Sequence, residues 1–102
     1  MDYLEIEKKG EYTIIRMNRP KVNAINFQMV KEIREAFKLM EEDITVSGVI
    51  LTGREGVFSA GLDLIELYDY DKTKIREFFI AFGLMYIELA RFSKPFICAI
   101  TG

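Results

Sequence analysis

Val46-Ser47-Gly48-Val49-Ile50-Leu51-Thr52, then Gly53-Arg54-Glu55-Gly56, then Val57-Phe58-Ser59-Ala60-Gly61-Leu62-Asp63-Leu64, is the stretch that decides the fold of this chain. Its first seven residues are apolar at nearly every position except Ser47 and Thr52, which suits a strand covered on both faces. Gly53 to Gly56 reads as a turn. A loop of small residues follows, and then a short amphipathic stretch, Ile65 to Tyr70. A strand that empties through a loop into a helix start leaves backbone N–H groups without helical partners, and the positive end of a helix dipole lies behind them. Such a junction suits an oxyanion. Ala60-Gly61 adds side chains small enough for a ligand to approach the backbone. Junctions of this composition are also common without any ligand, so both readings stay open at this point.

Outward from that junction the chain alternates strand and helix. Tyr3 to Lys8 alternates apolar and polar residues, Tyr12 to Met17 is rich in strand formers, and Lys9-Gly10 between them predicts a hairpin. Pro20, which has no N–H to give, ends the pairing. Asn26 is placed to cap a helix from about Phe27 to Glu42. Val30, Ile33, Phe37 and Met40 recur there at helical spacing, with Lys31, Arg34, Glu35 and Lys38 on the wet side. Asp71 is placed to cap a second long helix, Lys72 to Phe92. Its apolar face (Ile75, Phe78, Phe79, Phe82, Met85, Tyr86, Leu89) is wider than one small sheet needs. Ser93-Lys94-Pro95 breaks that helix, and Phe96 to Thr101 reads as another buried strand. The pattern β-β-α-β-(short α)-α-β predicts an α/β fold. Strands of the last kind normally feed a further loop and helix, and here the last strand leads nowhere.

The 102 residues allow one domain with a modest core, and half of them are hydrophobic. The net charge of −2, from 14 basic and 16 acidic side chains, gives no support to a nucleic-acid role, which needs clustered Lys and Arg. The small clusters Arg19/Lys21 and Lys72/Lys74/Arg76 read as solvated surface. A single cysteine excludes an intrachain disulfide framework and suits a reducing compartment, with Cys98 read as a small buried hydrophobe. The N-terminus lacks the basic start and apolar run of a signal peptide, and no apolar stretch is long enough to span a membrane. Together these predict a cytoplasmic protein.

The chemistry is bounded by what is missing. With no histidine, the chain excludes His-based acid/base catalysis, a Ser-His-Asp triad and a Cys/His zinc site among its own residues. Glycine-rich nucleotide loops are absent. Ser59 lacks the preceding glycine of a nucleophile elbow, because Val57 stands there, and reads as a loop residue. Glu41, Glu42 and Asp43 read as a solvated helix end. Asp63 reads as a helix cap before it reads as a reacting group. The N–H of Ala60 remains, aimed where a carbonyl oxygen could sit. One such donor contributes roughly 2.7–4 kcal/mol to an oxyanionic transition state.

Three segments carry a resemblance. Asn18-Arg19-Pro20-Lys21-Val22-Asn23-Ala24-Ile25-Asn26 resembles the first signature of the crotonase family, the enoyl-CoA hydratases and isomerases. Gly48 to Gly53 with Val57 to Leu64 resembles its second, and Lys94-Pro95-Phe96-Ile97-Cys98-Ala99-Ile100-Thr101-Gly102 its third. Order and spacing agree across essentially the whole chain. The compact spacing from Pro20 to Asn23, together with Gly56-Val57-Phe58-Ser59-Ala60-Gly61-Leu62-Asp63-Leu64, resembles the Δ3,Δ2-enoyl-CoA isomerase branch more than the main hydratase branch.

The resemblance implies a crotonase-like spiral of ββα units, of which residues 1–102 would be the N-terminal portion. It implies an enoyl-CoA thioester substrate, with coenzyme A as part of the substrate and no separate cofactor. An enolate would be held in a two-donor oxyanion hole, with the Ala60 N–H as the first donor. Lys21, Val22 and Ala24, with Ser59, Ala60, Gly61, Leu62, Asp63 and Leu64, would line the CoA site, Lys21 reaching for a phosphate. The family's second donor and its catalytic glutamates match no position in this chain, so no acid or base is assigned. A homo-oligomer, a trimer or a multiple of one, is implied. Exposed faces on the 72–92 helix and the last strand predict self-association. The competing reading is a truncated, non-catalytic module that binds CoA or a partner protein.

Overall fold

The computed structural model describes residues 1–100; Thr101 and Gly102 lie outside the described residues. Seven elements follow in the predicted order: β1 (Leu4–Lys9), β2 (Tyr12–Met17), α1 (Phe27–Glu42), β3 (Gly48–Thr52), α2 (Leu64–Tyr68), α3 (Lys72–Ala90) and β4 (Phe96–Ala99). The four strands form one sheet in chain order. β1 and β2 pair antiparallel as the predicted hairpin, whereas β2–β3 and β3–β4 are parallel. Parallel neighbours need a crossover helix, and α1 and α3 supply the two crossovers.

The core lies between the sheet and these helices. Val30, Ile33, Phe37 and Met40 of α1 are buried as their spacing predicts, joined by Met29 and Ala36. Phe78 of α3 is fully buried, and its ring meets the edges of Phe27 and Tyr70. Burial of one such ring stabilises the fold by roughly 1.5–3 kcal/mol. All three helices are capped as the sequence predicts. Asn26 Oδ1 accepts from the Met29 N–H at 2.8 Å, Asp63 Oδ1 from Glu66 at 3.0 Å and Asp71 Oδ1 from Lys74 at 2.8 Å. Gly53 ends β3 where no other residue fits: a Cβ there would stand 2.4 Å from the Val57 carbonyl oxygen.

Four expectations are corrected. The last strand is not buried: β4 pairs with β3 alone among the described residues, so it is an edge, and Ile97 is exposed. Cys98 on that edge is an exposed thiol rather than a buried hydrophobe. The apolar face of α3, by contrast, is exposed as expected: the helix buries only Phe78, Ala81 and Met85, while Phe79 and Tyr86 are exposed. A face as wide as the predicted one cannot be covered by one sheet. Arg19 is not solvated surface but is drawn into an ion-paired cluster with Asp63, the cap of α2, and Glu66 within α2. The strand before the loop is buried at Val49, Leu51 and Thr52 and half-buried at Ile50, a less complete cover than its run of apolar residues predicts.

Candidate functional site

Two loops leave the same end of the sheet, since β2 and β3 are parallel. The first runs from Asn18 to Asn26 and the second from Gly53 to Asp63. They join side by side through a short parallel bridge. The Ile25 N–H donates to the Gly61 carbonyl at 2.7 Å, and the Asp63 N–H donates to the Ile25 carbonyl at 2.9 Å. Gly61 makes this possible, because its φ of 90° lies in the left-handed region that side chains resist.

Asn23 knots the two loops together. It is fully buried with φ 52°, a conformation asparagine tolerates better than most residues. Its side-chain N–H groups donate to the Met17 carbonyl at 2.9 Å and the Phe58 carbonyl at 3.1 Å. Its Oδ1 accepts from the Arg19 N–H at 2.6 Å, and its own N–H donates back to the Arg19 carbonyl at 2.9 Å. Its carbonyl accepts from the Ser59 hydroxyl at 2.7 Å, and that hydroxyl accepts from the Gly61 N–H at 3.0 Å. Ser59 is therefore a loop residue, held by backbone on both sides.

Arg19 is the second tie. Its guanidinium donates to Asp63 Oδ2 at 2.8 Å, to Glu66 Oε2 at 3.0 Å and to the Ala24 carbonyl at 2.9 Å. Glu66 also accepts from Asn26 Nδ2 at 3.1 Å and from the Tyr70 hydroxyl at 3.3 Å. The Glu66 backbone N–H and then the Arg19 guanidinium hold the Asp63 carboxyl below its ordinary range. Burial disfavours the charge on Arg19, but its bonds to Asp63 and Tyr3 and the charges of Asp63 and Glu66 together outweigh that and raise its pKa. Burial, with Glu66 close by, pushes the Tyr70 hydroxyl up. Asp63 is thus a cap and a counter-ion, ionised at neutral pH and turned away from acid/base work.

The structure brings all the sequence-predicted site residues onto this loop pair. Lys21, Val22 and Ala60 are exposed at its mouth; Ala24, Ser59, Gly61, Leu62 and Asp63 are half-buried; and Leu64 opens α2 with its side chain outward. The Ala60 N–H lies at the meeting of the two loops and donates to the Val22 carbonyl at 2.9 Å. Arg54 reinforces the same loop from the side, donating to the Lys21 carbonyl at 2.9 Å. Sequence reasoning missed the roles of Asn23 and Arg19. It missed Glu32 as well, whose buried carboxylate accepts from the Tyr3 and Leu4 N–H groups and fixes the start of β1. Glu32 sits on the buried stripe of α1 one residue before Ile33, and that misplaced charge was the available signal.

Among the described residues no cluster of Cys, Asp and Glu is placed to hold a metal ion, and no helix is long and apolar enough to cross a membrane.

The geometry is that of a known class. The sequence profile of the enoyl-CoA hydratase/isomerase family matches residues 7–102, and the chain belongs to that family. A probable mitochondrial enoyl-CoA hydratase of Dictyostelium discoideum is 36% identical over 98 residues, which are 94% of this chain and 34% of that protein. The mitochondrial enoyl-CoA delta isomerase 1 of Rattus norvegicus is 33% identical over 100 residues, 95% of this chain and 35% of that protein. The crystal structure of human mitochondrial Δ3-Δ2-enoyl-CoA isomerase superposes with a TM-score of 0.92 at 27% identity, covering 98% of this chain and 40% of that one. The fold is therefore the crotonase fold over its N-terminal part. The chain spans about a third of the length of these curated relatives.

Proposed function

We propose that this chain carries the CoA-binding loops and the first oxyanion donor of an enoyl-CoA isomerase or hydratase. The observation that supports this reading is the pairing of the Lys21–Ala24 and Ser59–Leu64 loops, with the Ala60 N–H held between them. In the isomerase reaction a base takes a proton from the carbon α to the thioester carbonyl. The electron pair moves into that carbonyl as a dienolate, and a proton returns two carbons further along. In the hydratase reaction water adds to the β carbon, and the α carbon is protonated from the enolate. Both reactions place negative charge on the thioester oxygen, which a backbone N–H stabilises. The compact loop from Pro20 to Asn23 favours the isomerase.

In this role the thioester oxygen replaces the Val22 carbonyl on the Ala60 N–H. Lys21, exposed at the mouth of the site, supplies a positive charge for a CoA phosphate. The test is turnover of 2- and 3-enoyl-CoA by the protein purified from its source cells, alongside an Ala60→Pro variant that lacks the N–H. Loss of turnover beyond any loss of folded protein is expected. Full activity in a folded Ala60→Pro variant would remove Ala60 from its role.

A second reading, a module that binds CoA or a partner protein without turnover, draws support from the occupied Ala60 donor. Thermal stabilisation by CoA in a protein that turns over neither enoyl-CoA would favour it.

A further inference from the structure

We infer that Asn23 is a positioning residue for the oxyanion donor, an inference that rests on the acyl-CoA reading above. The Ala60 N–H can stabilise a developing charge only if its direction is fixed before the reaction begins, because a misplacement of about 1 Å can cost 10²-fold in rate. Ala60 itself offers nothing to fix it. It is exposed, it carries a single methyl group, and it sits between a loop turn and a glycine in the left-handed region. Its position is inherited from its neighbours.

Those neighbours are held from one point. Asn23 donates to the Phe58 carbonyl at 3.1 Å, two residues before Ala60, and accepts the Ser59 hydroxyl on its own carbonyl at 2.7 Å. The Ser59 hydroxyl in turn takes the Gly61 N–H at 3.0 Å. The backbone on both sides of Ala60 is thus tied to one buried residue: Phe58 to the Asn23 side-chain amide, and Gly61, through the Ser59 hydroxyl, to the Asn23 main-chain carbonyl that this amide holds in place. Asn23 is itself anchored to the end of β2 through the Met17 carbonyl at 2.9 Å, so the donor is referred to the rigid sheet rather than to a loop. Val22, whose carbonyl occupies the donor, is the residue next to it. By fixing the left-handed turn at Asn23 and the Phe58 carbonyl, this amide acts on the segment before the donor and on the segment that carries the group substrate must displace.

Two substitutions separate positioning from folding. Asn23→Asp keeps the shape and loses both side-chain N–H donations. Asn23→Gly keeps the left-handed backbone without strain and loses the whole amide. Each is compared with wild type, as the protein is made in its source cells, for kcat, for KM and for the carbonyl stretch of bound hexanoyl-CoA. That saturated thioester does not turn over, and its stretch moves to lower frequency when the oxygen is polarised.

The expected result is a fall in kcat of about 10²-fold with KM within about threefold, and a carbonyl stretch that returns toward its solution value. A folded variant with full kcat overturns the inference. So does a rise in KM alone with an unshifted stretch, which would make Asn23 a shaper of the CoA loop. Unfolding of both variants makes it a residue of the fold only and overturns the inference as well. A wild-type protein that neither turns over enoyl-CoA nor shifts the stretch removes the acyl-CoA reading itself, and the wild-type measurement alone distinguishes that result.

Discussion

Arg19→Met, measured singly and in a cycle with Asp63→Asn, tests whether the two loops are tied by charge. The Arg19 and Asp63 side chains are only 18% and 17% exposed, so the pair is largely withdrawn from water. Breaking one partner of a fully buried pair costs about 3–5 kcal/mol, whereas an exposed pair is worth about 0–1. Glu66, the second carboxylate, is 39% exposed and can rehydrate when the guanidinium leaves, which lowers the loss. The methionine retains most of the stem that packs beneath the loop. A destabilisation of about 2–3 kcal/mol follows for Arg19→Met. Asn at position 63 still caps α2, so Asp63→Asn removes charge without removing the cap. The coupling in the cycle should be about 1–2 kcal/mol. The assay is urea unfolding followed by far-UV circular dichroism at neutral pH, repeated at ~50 and ~500 mM salt, because a withdrawn pair is screened little. A coupling below about 0.5 kcal/mol, or one that vanishes at high salt, would refute the tie and return Arg19 to ordinary surface.

The same bond gives a pH dependence. Asp63 is held below its ordinary 3.8, so its contribution is fully present above that value and is lost as pH falls through the lower folded value. The advantage of wild type over Asp63→Asn should be flat from pH 7 to 5 and shrink below about pH 4; an advantage still complete at pH 2 would contradict this. Gly53→Ala should destabilise by about 3 kcal/mol in the same urea assay, since its Cβ would meet the Val57 and Phe58 carbonyl oxygens at 2.4 and 2.5 Å and both are backbone. The isolated 102-residue chain should self-associate through the α3 face and the β4 edge, and at dilutions where monomer prevails its Cys98 should react with Ellman's reagent as fast as a free thiol. A sedimentation profile of pure monomer with a protected thiol would count against both.

Local signals carried most of the fold into the sequence. The helix caps at Asn26, Asp63 and Asp71, the hairpin at Lys9-Gly10 and the stripe of α1 depend on residues within one or two turns of each other, and each was legible. The cover of β4 depends on what packs against it, which period and composition do not encode, and there the reading failed at Ile97 and Cys98. The site divides in the same way. The loop residues could be named from their sequence signature, but the ties between the loops link positions 35 to 47 residues apart. Arg19 looked like surface because its two carboxylates come from the end of the far loop and from the helix α2 that follows it. Asn23 looked like one polar residue in a polar loop until its five hydrogen bonds closed.

The bond between Ala60 and Val22 bears on how such a site can work at all. An N–H preorganised for an oxyanion must be satisfied in the free protein, by water or by another carbonyl. Here a carbonyl of the same chemical kind as the thioester's is on it, at 2.9 Å. Exchanging one neutral carbonyl for another is nearly neutral in free energy, so the donor contributes little to binding the ground state. In the proposed reaction, an enolate on the thioester oxygen would make the bond charge-assisted and about twice as strong. The gain would then fall almost wholly on the transition state, raising kcat rather than lowering KM. A donor left open to water would also be exchanged for substrate, but its direction would be fixed by nothing. Holding it against Val22, with Asn23 beneath both, keeps the geometry set while leaving the exchange easy.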